Sequence, residues 1–441
     1  MRLLTFAGGI HPDDGKRFSK DREIQPVIPQ GEMAYPLSQH IGAPAKPAVK
    51  KGDHVLKGQV IAEAGGFVSA PVHASVSGTV KGIEQRFSPA GTKTDCIIIE
   101  NDRLYTEMEY GSVKPLAEMT REEILQKIGD AGIVGMGGAG FPTRVKLSPK
   151  EPDKIEYVIA NCAECEPYIT ADYRCMLEYT DKIVSGMKVL LALFPNARGI
   201  FAVEDNKKDC IEKLEEAVHA ADMDDQMDVE ALMTKYPQGA ERQLIYTVTK
   251  RAINSSMLPA DAGCIVDNVE TLIAVHQAVI EGKPLLERIV TVSGDAVNNP
   301  GNFKVLLGTS HRELAEAAGG FSAQPEKLIS GGPMMGFAMV SLDAPVTKTS
   351  SSLLAFQKDA VSRLRESACI NCGRCVEVCP SRLIPSRLAD HAKRHDEASF
   401  TAMNGLECVE CGSCSYVCPA KRQLKQAIGS MRKTALANRK K

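Results

Sequence analysis

The C-terminal part of the chain carries one cysteine pattern twice: Cys369-Ile-Asn-Cys372-Gly-Arg-Cys375-Val-Glu-Val-Cys379-Pro380 and Cys408-Val-Glu-Cys411-Gly-Ser-Cys414-Ser-Tyr-Val-Cys418-Pro419. Each stretch is the C-x₂-C-x₂-C-x₃-C-P run that holds a [4Fe–4S] cluster. Its first three thiolates can bind three corners of a cube from one loop, whereas the fourth lies on the next turn and points away. We therefore predict a helical, ferredoxin-like domain with two [4Fe–4S] clusters over residues 360–430.

The fourth cysteine of each run is expected to ligate the other cluster, as it does in two-cluster proteins with this pattern. This predicts two crossed ligand sets: Cys369, Cys372, Cys375 and Cys418 for one cluster, and Cys408, Cys411, Cys414 and Cys379 for the other. A zinc site needs only four ligands, usually from two Cys-x-x-Cys pairs. A disulfide framework is typical of short secreted chains. Neither alternative explains two complete runs that both end in Pro.

Length and composition restrict the classes of function. The 441 residues suggest about three domains. A net charge of −2 and the absence of Trp argue against a nucleic-acid partner. The 14 cysteines fit a reducing compartment, since eight of them belong to the two runs. No apolar run reaches the length of a membrane span, so we expect any work at a membrane to depend on docking to other subunits.

The first hundred residues contain two patterns. Residues 1–34 are rich in Gly, Pro and charged residues and are predicted to form an extended arm. Residues 35–105 have short β segments broken by turns and resemble a barrel-sandwich domain of the biotinyl or lipoyl type. Such domains carry a modified Lys at a hairpin tip, whereas the corresponding tip here, Gly65-Gly66-Phe67-Val68, has none. We therefore predict a docking module without biotin or a lipoyl group.

The middle of the chain alternates between predicted strands and helices, which favours a Rossmann-like, mostly parallel sheet covered by helices over residues 115–285. The predicted strands are Ile155–Asn161 and Gly199–Val203, and the predicted helices are Arg121–Ala131, Asp181–Phe194, Asp209–Ala221 and Asp267–Ile280. Residues 286–345 return to β character and are predicted to form a small β-grasp-like domain. Residues 346–365 are predicted to be a linker. The fold class is therefore multidomain α/β.

A glycine-rich loop, Gly135-Met136-Gly137-Gly138-Ala139-Gly140-Phe141-Pro142-Thr143-Arg144-Val145-Lys146, lies inside the predicted α/β domain. Four glycines in six residues let the backbone approach a planar ring or a phosphate. The N–H groups of such a loop can bind an anion, and Lys146 can neutralise one. The loop has neither the dinucleotide fingerprint nor the P-loop pattern. A flexible linker is the alternative.

This loop resembles the G-x-G-G-A-G-F-P-T-x-x-K run that binds FMN in the NADH-binding flavoprotein subunit of respiratory complex I. Two further segments resemble that subunit's N-A-D-E-x-E-P and N-N-V-E-T motifs: Asn161–Tyr168 and Asp267–Thr271. Over nearly the whole chain, the order of domains resembles the C subunit of Rnf electron transport complexes. Two segments are more similar to that subunit than to complex I: Glu164–Asp172 and Gly331–Gly336.

The resemblance implies roles for individual residues. The residues implied to line the flavin and its phosphate are Gly135, Gly137, Gly138 and Lys146. Those implied to bond the ring edge and the ribityl chain are Asn161, Glu164, Asn268 and Thr271. Those implied to meet the nicotinamide nucleotide are Phe141 and Glu166. Ala163 and Asp267 depart from the complex I pattern, which has Asp and Asn at these places.

Two further acids, Glu204 and Asp205, follow the predicted strand Gly199–Val203. Carboxylates beyond the end of a parallel strand commonly accept ribose hydroxyls. With Glu166, they would repel a 2′-phosphate, so the site is predicted to prefer NADH to NADPH. The alternative is that Glu204 and Asp205 only cap the following helix. The Cys162–Cys165 pair could be redox-active, but buried thiols are the favoured interpretation.

The resemblance implies an oxidoreductase: the NAD(H)-binding subunit of an ion-translocating ferredoxin:NAD⁺ oxidoreductase, peripheral on the cytoplasmic side of the cell membrane. Non-covalent FMN would connect NADH to the one-electron clusters, and no catalytic acid or base is predicted. The expected partners are integral membrane and other subunits of the complex, with a ferredoxin-side carrier reached through them, and no nucleic acid. The alternatives are a cobalamin reductase of a bacterial microcompartment, an electron relay with a vestigial flavin site, and a lipoyl-type carrier.

Overall fold

The computed structural model describes residues 3–439, so the first two residues of the predicted arm lie outside the described part. In chain order, the protein comprises an N-terminal arm, a barrel-sandwich domain, an α/β domain, a β-grasp-like domain and a helical cluster domain. The arm lies against other parts of the protein along its length. Leu4 forms a β-bridge with Leu232, and strand β1 (Ile24–Val27) pairs in parallel with a strand of the β-grasp sheet.

The barrel-sandwich domain packs a four-stranded sheet against a three-stranded one. Its strands are β2 (Met33–Pro36), β3 (Lys46–Pro47), β4 (His54–Val55), β5 (Val60–Glu63), β6 (Val72–His73), β7 (Gly78–Phe87) and β8 (Lys93–Asn101). The core between the sheets contains fully buried Met33, Tyr35 and Ile61. At the hairpin tip, Phe67 is 82% exposed.

The α/β domain has four parallel strands in the spatial order β11-β10-β9-β12. Its helices and strands are α1 (Arg121–Asp130), α2 (Thr143–Lys146), β9 (Tyr157–Cys162), α3 (Ala171–Glu178), α4 (Thr180–Leu193), β10 (Arg198–Glu204), α5 (Lys208–Ala220), β11 (Met227–Leu232), α6 (Glu241–Thr249), β12 (Cys264–Asn268) and α7 (Val269–Ile280). The chain leaves β9 in one direction toward β10 and later returns to its other side as β12. In sheets of this kind, ligands bind at the carboxyl ends of the strands where the order reverses. That place is between β9 and β12.

The start of α7 corrects one prediction. The sequence pattern places Asp267 at the beginning of a helix, but Asp267 and Asn268 end strand β12. Asn268 caps α7, because its side-chain oxygen accepts a hydrogen bond of 3.0 Å from the Glu270 N–H. Both side chains therefore lie at the carboxyl edge of the sheet.

The β-grasp-like domain is built on a mixed sheet with the order β1-β14-β13-β17-β15-β16. Its elements are β13 (Glu287–Ser293), β14 (Gly301–Leu306), α8 (His311–Ala317), β15 (Lys327–Ser330), β16 (Phe337–Ala338) and β17 (Ser352–Phe356). Strand β17 lies within residues 346–365, so the prediction of a linker there is wrong. The run Ser-Leu-Leu-Ala-Phe pairs with β13 on one side and β15 on the other, and its first four residues are buried.

The cluster domain is helical between its cysteine runs. Its helices are α9 (Arg374–Glu377), α10 (Pro385–Lys393), α11 (Glu397–Ala402), α12 (Ser413–Tyr416) and α13 (Leu424–Asn438). Gly373 and Gly412 precede α9 and α12 with φ of 76° and 83°, a conformation that glycine adopts without strain. Across residues 3–439, no helix combines the length and apolar character needed to cross a membrane.

Candidate functional site

The glycine-rich loop connects α1 to α2 and lies over the carboxyl end of β12. It closes on itself through a hydrogen bond of 2.8 Å from the Gly135 N–H to the Phe141 carbonyl. It is fastened to α7 because the Met136 N–H donates to Thr271 Oγ1 at 3.2 Å. A Cβ at Gly137 would lie 2.9 Å from the Asn268 Cβ, whereas one at Gly138 would meet nothing within 4 Å. The loop therefore packs on the place between β9 and β12 where the strand order reverses, and it leaves open space at its outer face.

Asn161 and Asn268 lie side by side at this edge, since they are register partners at the ends of β9 and β12. The Asn268 side-chain amide donates to Asp172 Oδ2 at 2.7 Å. The Asn161 amide donates to the Gly239 carbonyl at 2.8 Å. Three residues predicted to bind flavin, Asn161, Asn268 and Thr271, thus lie under the loop that carries a fourth, Gly137.

Lys146 lies at the same edge but is already paired. Its ammonium donates to Asp267 Oδ1 at 2.8 Å and to the Val266 carbonyl at 2.7 Å, and its side chain remains 21% exposed. Asp267 Oδ2 is buried without a hydrogen-bond partner among the described residues. This acceptor fits a hydroxyl donor such as the ribityl chain of FMN. Asp267, the departure from the complex I pattern, therefore fits the cofactor through its second carboxylate oxygen.

Glu164 joins the site through Asp172, a residue not singled out from the sequence. Glu164 Oε1 accepts from the Asp172 N–H at 2.7 Å, and Glu164 Oε2 lies 3.5 Å from the ammonium of Lys16 in the arm. Burial raises the pKa of Asp172 to about 8, and the charges of Glu164 and Glu270 act in the same direction. A buried acid with a perturbed pKa beside a ligand crevice is the signal that marks Asp172.

Glu166 is bound by the Gly331–Gly336 turn. Its carboxylate accepts hydrogen bonds from the Met334 and Met335 N–H groups, at 3.1 and 2.9 Å. A Cβ at Gly332 would lie 2.0 Å from this carboxylate, so a larger residue there would displace the Glu166 side chain. Burial raises the pKa of Glu166 to about 7. Glu166 therefore fastens the Gly331–Gly336 turn to the α/β domain.

The other nucleotide candidates are also engaged by protein groups. Glu204 is 1% exposed and pairs with the Lys207 ammonium at 3.2 Å. Asp205 is less buried and accepts from the N–H and hydroxyl of Thr234, at 2.8 and 2.6 Å. A contact of Glu204 with ribose would require its ion pair to open. The role of these acids in NADH preference stays a prediction, as does that of the partly buried Phe141.

The eight cysteines surround two separate cavities in the crossed arrangement. The inner set, defined as Cys379, Cys408, Cys411 and Cys414, lines one cavity. The outer set, defined as Cys369, Cys372, Cys375 and Cys418, lines the other. Within residues 3–439, no group of His, Cys, Asp or Glu side chains converges on a single metal ion. Four thiols around a cavity suit a multi-iron cluster, so the residues present fit two [4Fe–4S] groups.

The inner set lies next to the α/β domain. The Tyr236 hydroxyl donates to the Cys411 carbonyl at 2.7 Å. Glu407, adjacent to Cys408, pairs with Arg242 at 2.9 Å and accepts from the Ser255 N–H at 2.8 Å. In the outer set, Cys369 and Cys372 are exposed. The two cavities therefore differ in position, one facing the α/β domain and one facing outward.

Four family models match the chain in the order of its domains. They are described as the RnfC barrel sandwich hybrid domain (residues 4–104), the Nuo51 FMN-binding domain (128–277), the SLBB domain (289–338) and the 4Fe-4S dicluster domain (368–421). The multidomain α/β fold class is thereby confirmed. The predictions of FMN and of two [4Fe–4S] clusters are confirmed by the second and fourth matches.

Curated relatives match over most of the chain. The C subunit of the proton-translocating ferredoxin:NAD⁺ oxidoreductase complex of Clostridium ljungdahlii is 44% identical over 88% of this chain and 84% of its own. The C subunit of the Na⁺-translocating ferredoxin:NAD⁺ oxidoreductase complex of Acetobacterium woodii is 43% identical over 99% of this chain and 98% of its own. The chain belongs to this family of C subunits. The predicted resemblance to the Rnf C subunit is confirmed.

Other matches extend the comparison. The C subunit of the ion-translocating oxidoreductase complex of Vibrio cholerae is 38% identical over 90% of this chain, which covers 51% of that longer relative. Among solved structures, an NAD⁺-reducing [NiFe]-hydrogenase in the H₂-reduced state aligns with a TM-score of 0.53 at 20% identity, over 73% of this chain and 62% of that one. At this identity, the likeness shows a shared fold.

Proposed function

We propose that the chain carries electrons between NAD(H) and two [4Fe–4S] clusters through non-covalent FMN, as the C subunit of an ion-translocating ferredoxin:NAD⁺ oxidoreductase. The observation that carries this proposal is the segment Tyr236–Gly239. Its Gly239 carbonyl accepts from Asn161 under the glycine loop, and its Tyr236 hydroxyl donates to the carbonyl of Cys411. One short segment therefore touches both the flavin-type crevice and the inner set.

FMN held at this crevice would supply the chemistry that connects a two-electron hydride donor to one-electron clusters, with the balance NADH + two oxidised clusters to NAD⁺ + H⁺ + two reduced clusters. The protein's own residues hold and orient the groups. The glycine loop lets the backbone approach the ring, and Asn161 and Asn268 offer amide groups at its edge. Lys146 supplies a positive charge at the same edge, and Asp267 supplies an acceptor. No side chain needs to act as a general acid or base.

The order of the clusters follows from burial. The inner set is linked to the crevice through Tyr236 and is more buried than the outer set, so we infer that electrons from NADH reach it first. The outer set opens to solvent at Cys369 and Cys372, next to Ile370, which is 67% exposed. This exposed face suits exchange with another redox subunit. The relatives' names describe translocating complexes, so the partners proposed for this chain are membrane and other subunits, with the chain peripheral on the cytoplasmic side.

The cofactor proposal is tested on protein purified without oxygen. FMN should be released on denaturation, with about eight iron and eight sulfide per chain, as two such clusters require. NADH should reduce an artificial acceptor, and Asn268→Leu should lower both flavin content and this activity. Intact clusters in a wild-type protein that never holds flavin would reject the proposal and leave an electron relay.

Nucleotide preference needs a separate test. We expect NADH to be oxidised in preference to NADPH. The ratio of the two kcat/KM values should fall in at least one of three variants: Glu166→Gln, Glu204→Gln and Asp205→Asn. Asp205→Asn is the most informative of these, because Asp205 is the less buried acid at the end of β10. Unchanged ratios in all three would place the determinant elsewhere.

A further inference from the structure

The Phe6–Ile10 segment of the arm lies between the α/β domain and the inner set. Ile10 and Tyr236 exchange two backbone hydrogen bonds, of 2.8 and 2.9 Å. On the other side, the Gly9 N–H donates to the Val378 carbonyl at 2.9 Å. Val378 immediately precedes Cys379, the cysteine that crosses over to the inner set. The segment is thus bonded on one side to Tyr236 and on the other to a ligand-bearing turn.

The two glycines leave no room for side chains at this contact. A Cβ at Gly8 would lie 3.0 Å from the carbonyl oxygens of both Val378 and Cys379, and one at Gly9 would lie 2.8 Å from the Tyr236 carbonyl oxygen. Gly8 and Gly9 have φ of 83° and 86°, which side chains rarely allow. Both the space and the backbone conformation therefore require glycine.

The side chain of Lys235 holds the segment through its backbone carbonyls. Its ammonium donates to the Phe6 carbonyl and, at 3.1 Å, to the Gly8 carbonyl, and it lies 3.9 Å from the centre of the Phe6 ring. Lys235 is 7% exposed, and Ile10 is buried with Tyr236 and Cys411. A solvated, flexible arm would have no use for a buried lysine bonded to its carbonyls.

We propose that Phe6–Ile10 is a positioning clamp for electron transfer, which holds the Cys379 turn, and with it the inner cluster, at a fixed separation from the flavin crevice. This inference rests on the proposed function. In the overall step, the electron pair of one NADH is divided between two oxidised clusters and a proton is released. The clamp takes no part in that chemistry. It sets the distance over which the first single electron moves.

The test compares Gly8→Ala and Gly9→Ala with Gly52→Ala in the cofactor-loaded full chain. Gly52 is a matched control, since it has φ of 91° and a Cβ there would meet nothing within 4 Å. In the arm variants, NADH should reduce ferricyanide at the wild-type rate. Reduction of the inner cluster in stopped-flow absorption should be slower than in the wild type, because the electron would have to cross a longer distance. Gly52→Ala should match the wild type in both measurements.

A second readout does not depend on activity. Amide hydrogen exchange at residues 376–382 should be faster in the arm variants and unchanged in Gly52→Ala. If an arm variant fails to fold, Lys235→Met should give the same two effects and Lys235→Arg should restore wild-type behaviour. Wild-type cluster reduction and exchange in all arm variants would overturn the clamp. Failure of NADH to reduce any cluster in the wild type would instead overturn the proposed function, and hydrogen exchange would still decide the clamp.

Discussion

Lys146 offers a positive charge to a ligand while it neutralises Asp267. An anionic phosphate at this edge would share the ammonium with that carboxylate. Lys146→Ala removes the charge-assisted bonds and leaves Asp267 buried without its partner. We expect FMN binding to weaken by about 1.5–3 kcal/mol, the range for a hydrogen bond to a charged group. Flavin fluorescence titration of the apoprotein measures this, and the exposed Lys150→Ala is the control. Equal affinity in Lys146→Ala and wild type would remove Lys146 from the site.

The crossed arrangement of the cysteines predicts which cluster each single substitution damages. Cys418→Ser should damage the outer cluster, because Cys418 lines the cavity of Cys369, Cys372 and Cys375. Cys379→Ser should damage the inner cluster instead. Iron analysis and the EPR spectra of the reduced variants measure the loss. Cluster damage in the opposite order would show that each run ligates its own cluster.

Sequence patterns identify the crevice residues better than they identify the acids. Asn161, Asn268 and Thr271 come together because strands β9 and β12 end at one edge. Only the resemblance to the complex I motifs singles these residues out, since the sequence pattern does not predict the strand that ends at Asn268. The partners of Glu166 are Met334 and Met335, which lie in another domain. No local pattern contains such a contact, so its carboxylate could not be assigned to the Gly331–Gly336 turn in advance.

Among the elements, helix α7 is joined to strand β13 by a buried ion pair. Arg288 is 2% exposed and lies 3.1 Å from Glu270, which also accepts from the Ile289 N–H at 3.0 Å. Burial raises the pKa of Glu270, and Arg288 opposes this shift. Arg288 also donates to the Lys348 carbonyl at 2.7 Å. The pair thus connects the helix capped by Asn268 to the β-grasp-like domain.

Breaking this pair from one side should be costly. Arg288→Met leaves an uncompensated buried carboxylate, so we expect a loss of about 3–5 kcal/mol in stability. The double variant Arg288→Met/Glu270→Met should be more stable than the single variant, because no charge remains buried. Thermal unfolding midpoints give the comparison. A double variant that unfolds below Arg288→Met would contradict this interpretation of the pair.

Whether a segment forms a helix or a strand is easier to predict than the sheet to which it belongs. Helix α1 begins at Arg121, as predicted, and the structure has reciprocal capping bonds between Thr120 and Glu123 at this end. The five residues of strand β17 fall in the predicted linker because they carry no periodicity that separates a buried strand from a connection. Only its pairing between β13 and β15 makes this strand central, and that pairing is a long-range property.

On the scale of the whole molecule, Lys348 joins three domains. Its Nζ donates to the Pro71 carbonyl of the barrel-sandwich at 2.6 Å and to the Gly132 carbonyl of the α/β domain at 2.7 Å. The residue lies in the β-grasp-like domain, shortly before strand β17, and is fully buried. Burial lowers the pKa of Lys348 to about 7, from 10.5.

This junction predicts a pH dependence. Between pH 7 and 10.5, the unfolded chain binds a proton at Lys348 that the folded chain has lost, so stability rises with pH in this window. The gain is at most about 1.4 kcal/mol per pH unit. The thermal unfolding midpoint of the wild type, measured relative to that of Lys348→Met, should therefore increase when the pH is raised from about 7 to about 9. A difference that stays constant or falls over this range would contradict a buried, neutral lysine.

We expect electrons from NADH to pass through the inner cluster before the outer one. The most direct measurement is rapid-freeze EPR after mixing anaerobic protein with NADH, in the wild type and in Cys408→Ser. Dithionite must reduce the outer cluster in both proteins, which shows that it is intact. We expect NADH to reduce both clusters in the wild type and to leave the outer cluster of Cys408→Ser oxidised while flavin is reduced. Reduction of that outer cluster at the wild-type rate would contradict this order of electron transfer.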